Sequence, residues 1–275
     1  MPMFQSFQNR LFPVLKDIVR HFGTPFHIYD ETGIRETGKA LINALSELNF
    51  REYFAVKALP NPRILGIMKN MGFGFDCSSV AELILSRRAG GMGEDIMFTS
   101  NNTSHEDFLT AAADRGCILN LDDITLIPKV PEMPELICFR YNPGPRYTDG
   151  NEIIGNPAES KYGVSDEQLV YAYSEAQKRG AKRFGMHTMI VSNERNYKYK
   201  VLTARLLLEQ TERISKELGI RFEFINIGGG LGIPYKPEDK PLDLQTMGKE
   251  ITELFREFKK KTAIYRSSFW KAGDI

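Results

Sequence analysis

The sequence predicts an α/β fold built on a parallel sheet, and three observations predict it. Short apolar runs of strand length recur at 53–56, 72–76, 96–99, 118–121, 136–141, 183–187 and 222–227. Segments with helical patterning lie between most of them, at 62–71, 79–89, 105–115, 166–179 and 199–218. The chain has 275 residues, 42% of them hydrophobic, enough for one large core. Strands that alternate with helices in this way form a parallel sheet with the helices outside. An eighth strand can begin at 262–265, and eight such units in roughly 250 residues make a TIM barrel. A doubly wound sheet fits the alternation nearly as well, so the pattern alone leaves both open.

Residues 1–30 read as a preface, with Gly23-Thr24-Pro25 ahead of a short strand at 26–29. A helix follows from about 31 to 48, and 31–275 is read as the main α/β unit. The run Tyr53-Phe-Ala-Val-Lys57-Ala comes next. A lysine at the end of a buried strand is costly, because burial disfavours the ammonium. With a lowered pKa its amine can condense with an aldehyde. The alternative is a lysine that snorkels to water.

Phe73-Gly-Phe-Asp76-Cys-Ser-Ser79 puts the Asp76 carboxylate at the end of the second strand run. Glu82 stands three residues beyond Ser79 in a capping-box relation. Ser78, Ser79 and residues 99–104 are N-cap candidates. Arg140 ends the fifth run, placed for a phosphate or carboxylate or for a structural ion pair. Residues 142–163 form a long segment rich in Gly, Pro and Asn, a length that is often functional. His187 ends the sixth run; Ser192 and Asn193 beyond it either donate to a phosphate or cap the next helix. Gly228-Gly229-Gly230-Leu231-Gly232 follows the seventh run, and consecutive glycines let backbone N–H groups approach an anion. It is no dinucleotide fingerprint, because Ile233 stands where the third glycine belongs.

Composition excludes several classes. Lys+Arg 36 against Asp+Glu 35 gives a net charge of +1, which offers nothing to nucleic acid or an acidic membrane. Cys77, Cys117 and Cys138 are sparse and odd in number, which suits a reducing cytoplasm rather than a disulfide framework or zinc site. No apolar run of transmembrane length and no signal-peptide pattern is evident. Hydrolase elbow, Walker, His-Glu-x-x-His and Cys-x-x-Cys motifs are missing from the sequence.

Seven pieces in order resemble the pyridoxal-phosphate-dependent decarboxylases of the alanine-racemase-like barrel class, the diaminopimelate decarboxylases in particular. They are Gly23-Thr-Pro25, Tyr53-Phe-Ala-Val-Lys57-Ala, Phe75-Asp-Cys-Ser-Ser-Val-Ala-Glu82, Phe98-Thr-Ser-Asn-Asn102, Arg140-Tyr-Asn-Pro-Gly144, Ser160-Lys-Tyr-Gly163 and Gly228-Gly-Gly-Leu-Gly232. Each is weak alone; together they span about 23 to 265.

The resemblance implies a TIM-type (β/α)8 barrel that binds pyridoxal 5'-phosphate, cut near its eighth strand. It implies decarboxylation of an amino acid, meso-2,6-diaminopimelate to L-lysine and CO2, or an ornithine- or arginine-type reaction, by a cytoplasmic homodimer. By position, Lys57 would hold the cofactor covalently. Asp76 and Arg140 would line its pocket, and Ser192, Gly228, Gly229 and Gly230 would hold its phosphate.

There are two departures from the pattern. The family's Gly-x-His-x-His-x-Gly-Ser run is here Gly185-Met-His187-Thr-Met189-Ile-Val191-Ser192, with Met189 in the place of the histidine that stacks on the ring. Either Met189 packs on the ring, or His187 takes a modified role as a catalytic and cofactor-lining residue. Residues 266–275 do not match the family's Glu-Pro/Ser-Gly-Arg segment, whose glutamate pairs with the pyridine nitrogen, and the family's C-terminal β-domain is expected to be absent. On the resemblance, the chain binds cofactor better than it turns over substrate.

Overall fold

The computed structural model describes residues 5–144, 162–236, 238–261 and the backbone of 271–273. Helices α1 (Gln5–Phe22) and α2 (Glu31–Ala44) lead into two strand fragments, β1 (Phe50–Arg51) and β2 (Tyr53–Ala55). Then come α3 (Pro62–Asn70), β3 (Gly74–Cys77), α4 (Val80–Arg88), β4 (Gly93–Phe98), α5 (His105–Ala112), β5 (Cys117–Leu121) and β6 (Leu136–Arg140). The remainder is α6 (Leu169–Lys178), β7 (Arg183–His187), α7 (Lys198–Leu218), β8 (Phe222–Asn226), α8 (Leu244–Lys261) and β9 (Lys271–Gly273).

The strands form one parallel sheet in the order β1-β9-β8-β7-β6-β5-β4-β3-β2. Only Glu52 separates β1, which pairs β9, from β2, which pairs β3. The stretch 50–55 therefore borders both ends of the ladder, and the sheet closes on itself. This closure decides between the two architectures that the alternation left open, because a doubly wound sheet keeps two free edges. The expected strand at 262–265 lies outside the described residues. The position beside β8 is taken by β9.

Local chemistry starts the helices where the sequence suggests. The Asn61 side chain accepts from the N–H groups of Arg63 and Ile64, with Pro62 in the first turn. Ser79 caps α4, and Ser104 forms a capping box with Asp107 on α5. Between β5 and β6 a short 3-10 helix, Ile124–Lys129, replaces the α-helix of the other units. The main core lies between sheet and helices, with Phe75, Ile137, Phe139 and Met186 fully buried against it. A second cluster, Met97, Ile118, Leu136, Cys138 and Phe224, comes from the alternate positions of the same strands.

Two expectations need correction. Residues 26–29 join no strand ladder; they link α1 to α2, where Asp30 pairs with Arg10 of α1. Two helices went unpredicted. Helix α1 carries an apolar stripe at helical spacing, Phe7, Leu11, Leu15, Ile18 and Phe22, which the reading of 1–30 as a preface passed over; only Leu11 of it is fully buried. Helix α8 hides its stripe of Met247, Ile251, Leu254 and Phe255 among lysines and glutamates. It packs against α7 and α2, and a Cβ at Gly248 would lie 1.8 Å from the Ala44 carbonyl oxygen. Among the described residues no helix is long and apolar enough to cross a membrane.

Candidate active site at the strand ends

In a parallel barrel the C-terminal ends of all strands open on one face. The register brings chemical groups to that face. Ala55 pairs with Asp76, Asp76 with Met97, Arg140 with His187, and His187 with Asn226. Lys57 sits just past β2 in the single-turn helix Val56–Ala58. Of the two placements the sequence left open, Lys57 takes the one that reaches water: it is exposed, because the chain leaves the sheet into that turn before reaching it. Its Nζ makes no hydrogen bond or ion pair among the described residues, although its charge is felt at both Asp76 and His187.

Asp76 is half-buried near the end of β3. Burial pushes its carboxyl up to about 6, against the Thr99 hydroxyl that donates to it at 2.6 Å and the nearby positive charges of Lys57 and Arg140. A buried polar line continues from there. Asn120 of β5 donates to Thr99 Oγ1 at 3.2 Å and contacts His187 Nδ1 through its Nδ2 at 2.8 Å. With the Asn120 amide as donor, Nδ1 is the acceptor and the ring proton resides on Nε2. Burial, and the charges of Arg140, Lys200 and Lys57, hold the His187 pKa well below its ordinary value, so the ring is neutral.

Asp76 gives a pH test. Its ordinary value is 3.8 and its folded value about 6, so the folded chain binds this proton more tightly. Below the ordinary value both states are protonated and nothing is lost. As pH rises from there through 6 stability falls, by up to about 3 kcal/mol. Asp76→Asn is expected to stabilise the protein by about 1–3 kcal/mol at pH 8 and by much less at pH 4. Urea denaturation at both pH values checks this, and an equal gain at both would remove burial as the cause.

Arg140 faces a partner already in place. Its Nη1 lies 3.2 Å from Asp122 Oδ1, with the two side chains 12% and 4% exposed. Its guanidinium carbon stands 4.8 Å from the centre of the Tyr162 ring. The ion pair, one of the two roles the sequence allowed it, is present. Glu82 takes up Ser78 N–H at 2.9 Å and the Ser79 hydroxyl at 3.1 Å, which fits its capping role.

The glycine run after β8 lies along the loop that follows β7. Gly228 donates to Asn226 Oδ1 at 2.8 Å, and Glu194 N–H donates to the Gly230 carbonyl at 2.9 Å. Gly230 has φ +84°, and a Cβ there would lie 2.1 Å from the Val191 carbonyl oxygen and 3.1 Å from Ser192 Cα. Only glycine fits so close to another backbone. Ser192 is thus brought beside the run. The N–H groups of Gly229 and Gly230 have no acceptor among the described residues. Open space surrounds Gly229. Unaccepted donors on a run that a Cβ would block make a cradle for an anion such as a phosphate, so the residues present fit pyridoxal 5'-phosphate. Neither Ser192 nor Asn193 caps α7, which starts after Tyr197; Asn193 Oδ1 instead accepts from Ile233 N–H at 3.0 Å.

Met189 is half-buried, its sulfur 3.1 Å from where a Cβ of Gly228 would stand. Lys161 and most of the 142–163 segment lie outside the described residues. Sequence reasoning missed Lys200 and Asn120, and read Thr99 only as a cap candidate and as part of the 98–102 piece. Asn120 had a readable signal, a lone amide inside the apolar strand Cys117–Leu121. Among the described residues, no group of His, Cys, Asp and Glu could hold a metal ion.

Comparison with known proteins agrees with this geometry. The sequence pattern of the pyridoxal-dependent decarboxylases, pyridoxal binding domain, matches residues 32–266. The chain is 43% identical over 257 residues to Protein TabA of Pseudomonas amygdali pv. tabaci, covering 94% of this chain and 61% of that protein. It is 32% identical over 260 residues to the diaminopimelate decarboxylase of Thermoplasma acidophilum, covering 94% of this chain and 64% of that one. The chain therefore spans about three fifths of the length of these curated relatives. The crystal structure of diaminopimelate decarboxylase from M. jannaschii in co-complex with L-lysine superposes with a TM-score of 0.83 at 22% identity, over 94% of this chain and 62% of that one.

Proposed function

The chain belongs to the pyridoxal-dependent decarboxylase family, and from this premise we propose that it serves an amino-acid decarboxylase acting on meso-2,6-diaminopimelate to give L-lysine and CO2. The observation that carries the reading is Lys57, an exposed amine without a hydrogen bond or ion pair among the described residues, which shares one charge neighbourhood with Asp76 and His187 at the strand ends. In this reading Lys57 holds the cofactor covalently. The N–H groups of Gly229 and Gly230, with Gly228 and Ser192 beside them, hold its phosphate. Asp76, His187 and Arg140 line the pocket. When bound, pyridoxal 5'-phosphate takes up the electron pair left as the α-carboxylate departs as CO2.

The chain's own residues then handle protons and position. Asp76, at about 6, exchanges a proton near neutral pH. Neutral His187, fixed by Asn120, presents Nε2–H and adds no positive charge. Arg140 is held by Asp122 and Tyr162, so it offers a fixed cation rather than a mobile one. The relatives named diaminopimelate decarboxylase support the substrate. A homodimer, with the amino-acid substrate bound at each barrel mouth, is the assembly this reading carries.

A second reading, a cofactor-binding barrel without turnover, is favoured by Met189 at the place where the resembled pattern has its stacking histidine. The two separate in one experiment. CO2 release is measured from meso-diaminopimelate, L-ornithine and L-arginine, with Lys57→Ala as control. Release from the first alone supports the proposal. Release from another substrate reassigns it, and none from any, with cofactor bound, leaves the second reading standing.

A further inference from the structure

Lys200 lies on α7, and its side chain is only 2% exposed. Among the described residues no carboxylate lies within ion-pair distance of it, although the Glu52 charge reaches it. Its Nζ instead donates to three successive carbonyls, those of Ile227 and Gly228 at 3.1 Å each and that of Gly229 at 2.5 Å. Burying an ammonium is expensive, and here burial brings the pKa down to about 7 against the opposing pull of the Glu52 charge. A solvent-facing lysine would cost nothing, so the gain has to be sought in what Lys200 holds.

The peptide geometry says what that is. In a planar trans peptide the C=O and the following N–H point in opposite directions. Three carbonyls turned toward one ammonium therefore turn the N–H groups of Gly228, Gly229 and Gly230 away from it. The first is taken by Asn226 Oδ1, and the other two have no acceptor among the described residues. Glycines rotate freely, so without a tether on the carbonyl side such a run would sample many orientations.

We propose that Lys200 is the positioning residue of the phosphate cradle: its ammonium, on the buried side of the glycine run, fixes the N–H groups that receive the phosphate on the other. The proposal rests on the cofactor reading above and deepens it. Lys200 touches neither cofactor nor substrate in this view; it acts through the backbone. Its charge also helps keep His187 neutral.

The test compares pyridoxal 5'-phosphate with pyridoxal, which lacks the phosphate, by equilibrium binding to the full chain and to Lys200→Met. Losing the aimed donors is expected to weaken binding of the phosphorylated form by about 10- to 100-fold. Pyridoxal binding should be unchanged, because nothing it contacts is altered. Equal weakening of both ligands, or of neither, overturns the proposal, the first by making Lys200 a general structural residue. Where Lys200→Met does not fold, Lys200→Gln keeps two N–H donors on a shorter stem. It is expected to lose part of the phosphate preference, and an intact preference overturns the proposal. A wild-type chain that binds both forms equally overturns the cofactor reading itself, a result distinct from any difference between variants.

Discussion

Lys57→Ala is expected to abolish covalent capture of pyridoxal 5'-phosphate while leaving the fold intact. The wild-type chain mixed with the cofactor should gain a visible absorption band. Borohydride should then fix a phosphopyridoxyl group on the peptide that carries Lys57. The alanine variant should do neither, and any decarboxylation shown by wild type should fall by at least about 10³-fold. Because the Lys57 side chain is exposed and makes no hydrogen bond among the described residues, unfolding free energy should change by no more than about 0.5 kcal/mol. Lys57→Arg is the sharper control, since it keeps the charge and removes only the capacity to lose a proton. Mapping decides between two lysines. Lys200 carries a depressed pKa, but its Nζ is buried and committed to three carbonyls. A label on Lys200 rather than Lys57 would overturn the assignment.

Arg140→Ala should cost stability heavily. Its partner Asp122 is nearly fully buried, so removing the guanidinium leaves a carboxylate with neither counter-charge nor water. Such breaks cost about 3–5 kcal/mol. The stacked contact on Tyr162 would be lost as well. The double variant Arg140→Met with Asp122→Leu removes both charges and should recover most of the loss, because the penalty belongs to the orphaned charge rather than to the missing bond. Guanidinium denaturation of the two variants checks the claim. A double variant as unstable as the single one would show that Arg140 matters through shape or through another partner. If the cofactor reading holds, the double variant also tests whether Arg140 has a role in the pocket beyond its ion pair: a stable fold with weakened binding would separate the two.

Much of this could be read from the chain. The strand runs fall within about three residues of the observed strands, and 183–187 coincides with β7, because apolar runs of strand length between turn residues are a local signal. Ser79 and Ser104 were visible as caps for the same reason. What escaped notice depends on distant partners. Lys200 sits in Tyr-Lys-Tyr-Lys-Val, which reads as a solvated helix face; its burial follows from how α7 lies under the glycine run. For Lys57 the strand-end position left burial and access to water both open, and the turn at 56–58, which takes it outward, is what decides. Arg140 had two roles from sequence, and Asp122, on the neighbouring unit, is what settles its pairing.

The contact between α2 and α8 has a consequence for how the chain reaches this fold. Ala44 and Gly248 touch across nearly the whole span of the barrel, and Glu47 pairs with Arg256 beside them. Contacts so far apart in sequence bear a large loop-closure entropy and form late, which makes folding slow. During synthesis, the early strands stand with an unpaired edge and an uncovered helix face until α8 has left the ribosome. In that interval the edge of β2 and the apolar side of α2 are open to pairing with another chain, so yield on expression should depend on chaperones more than final stability suggests.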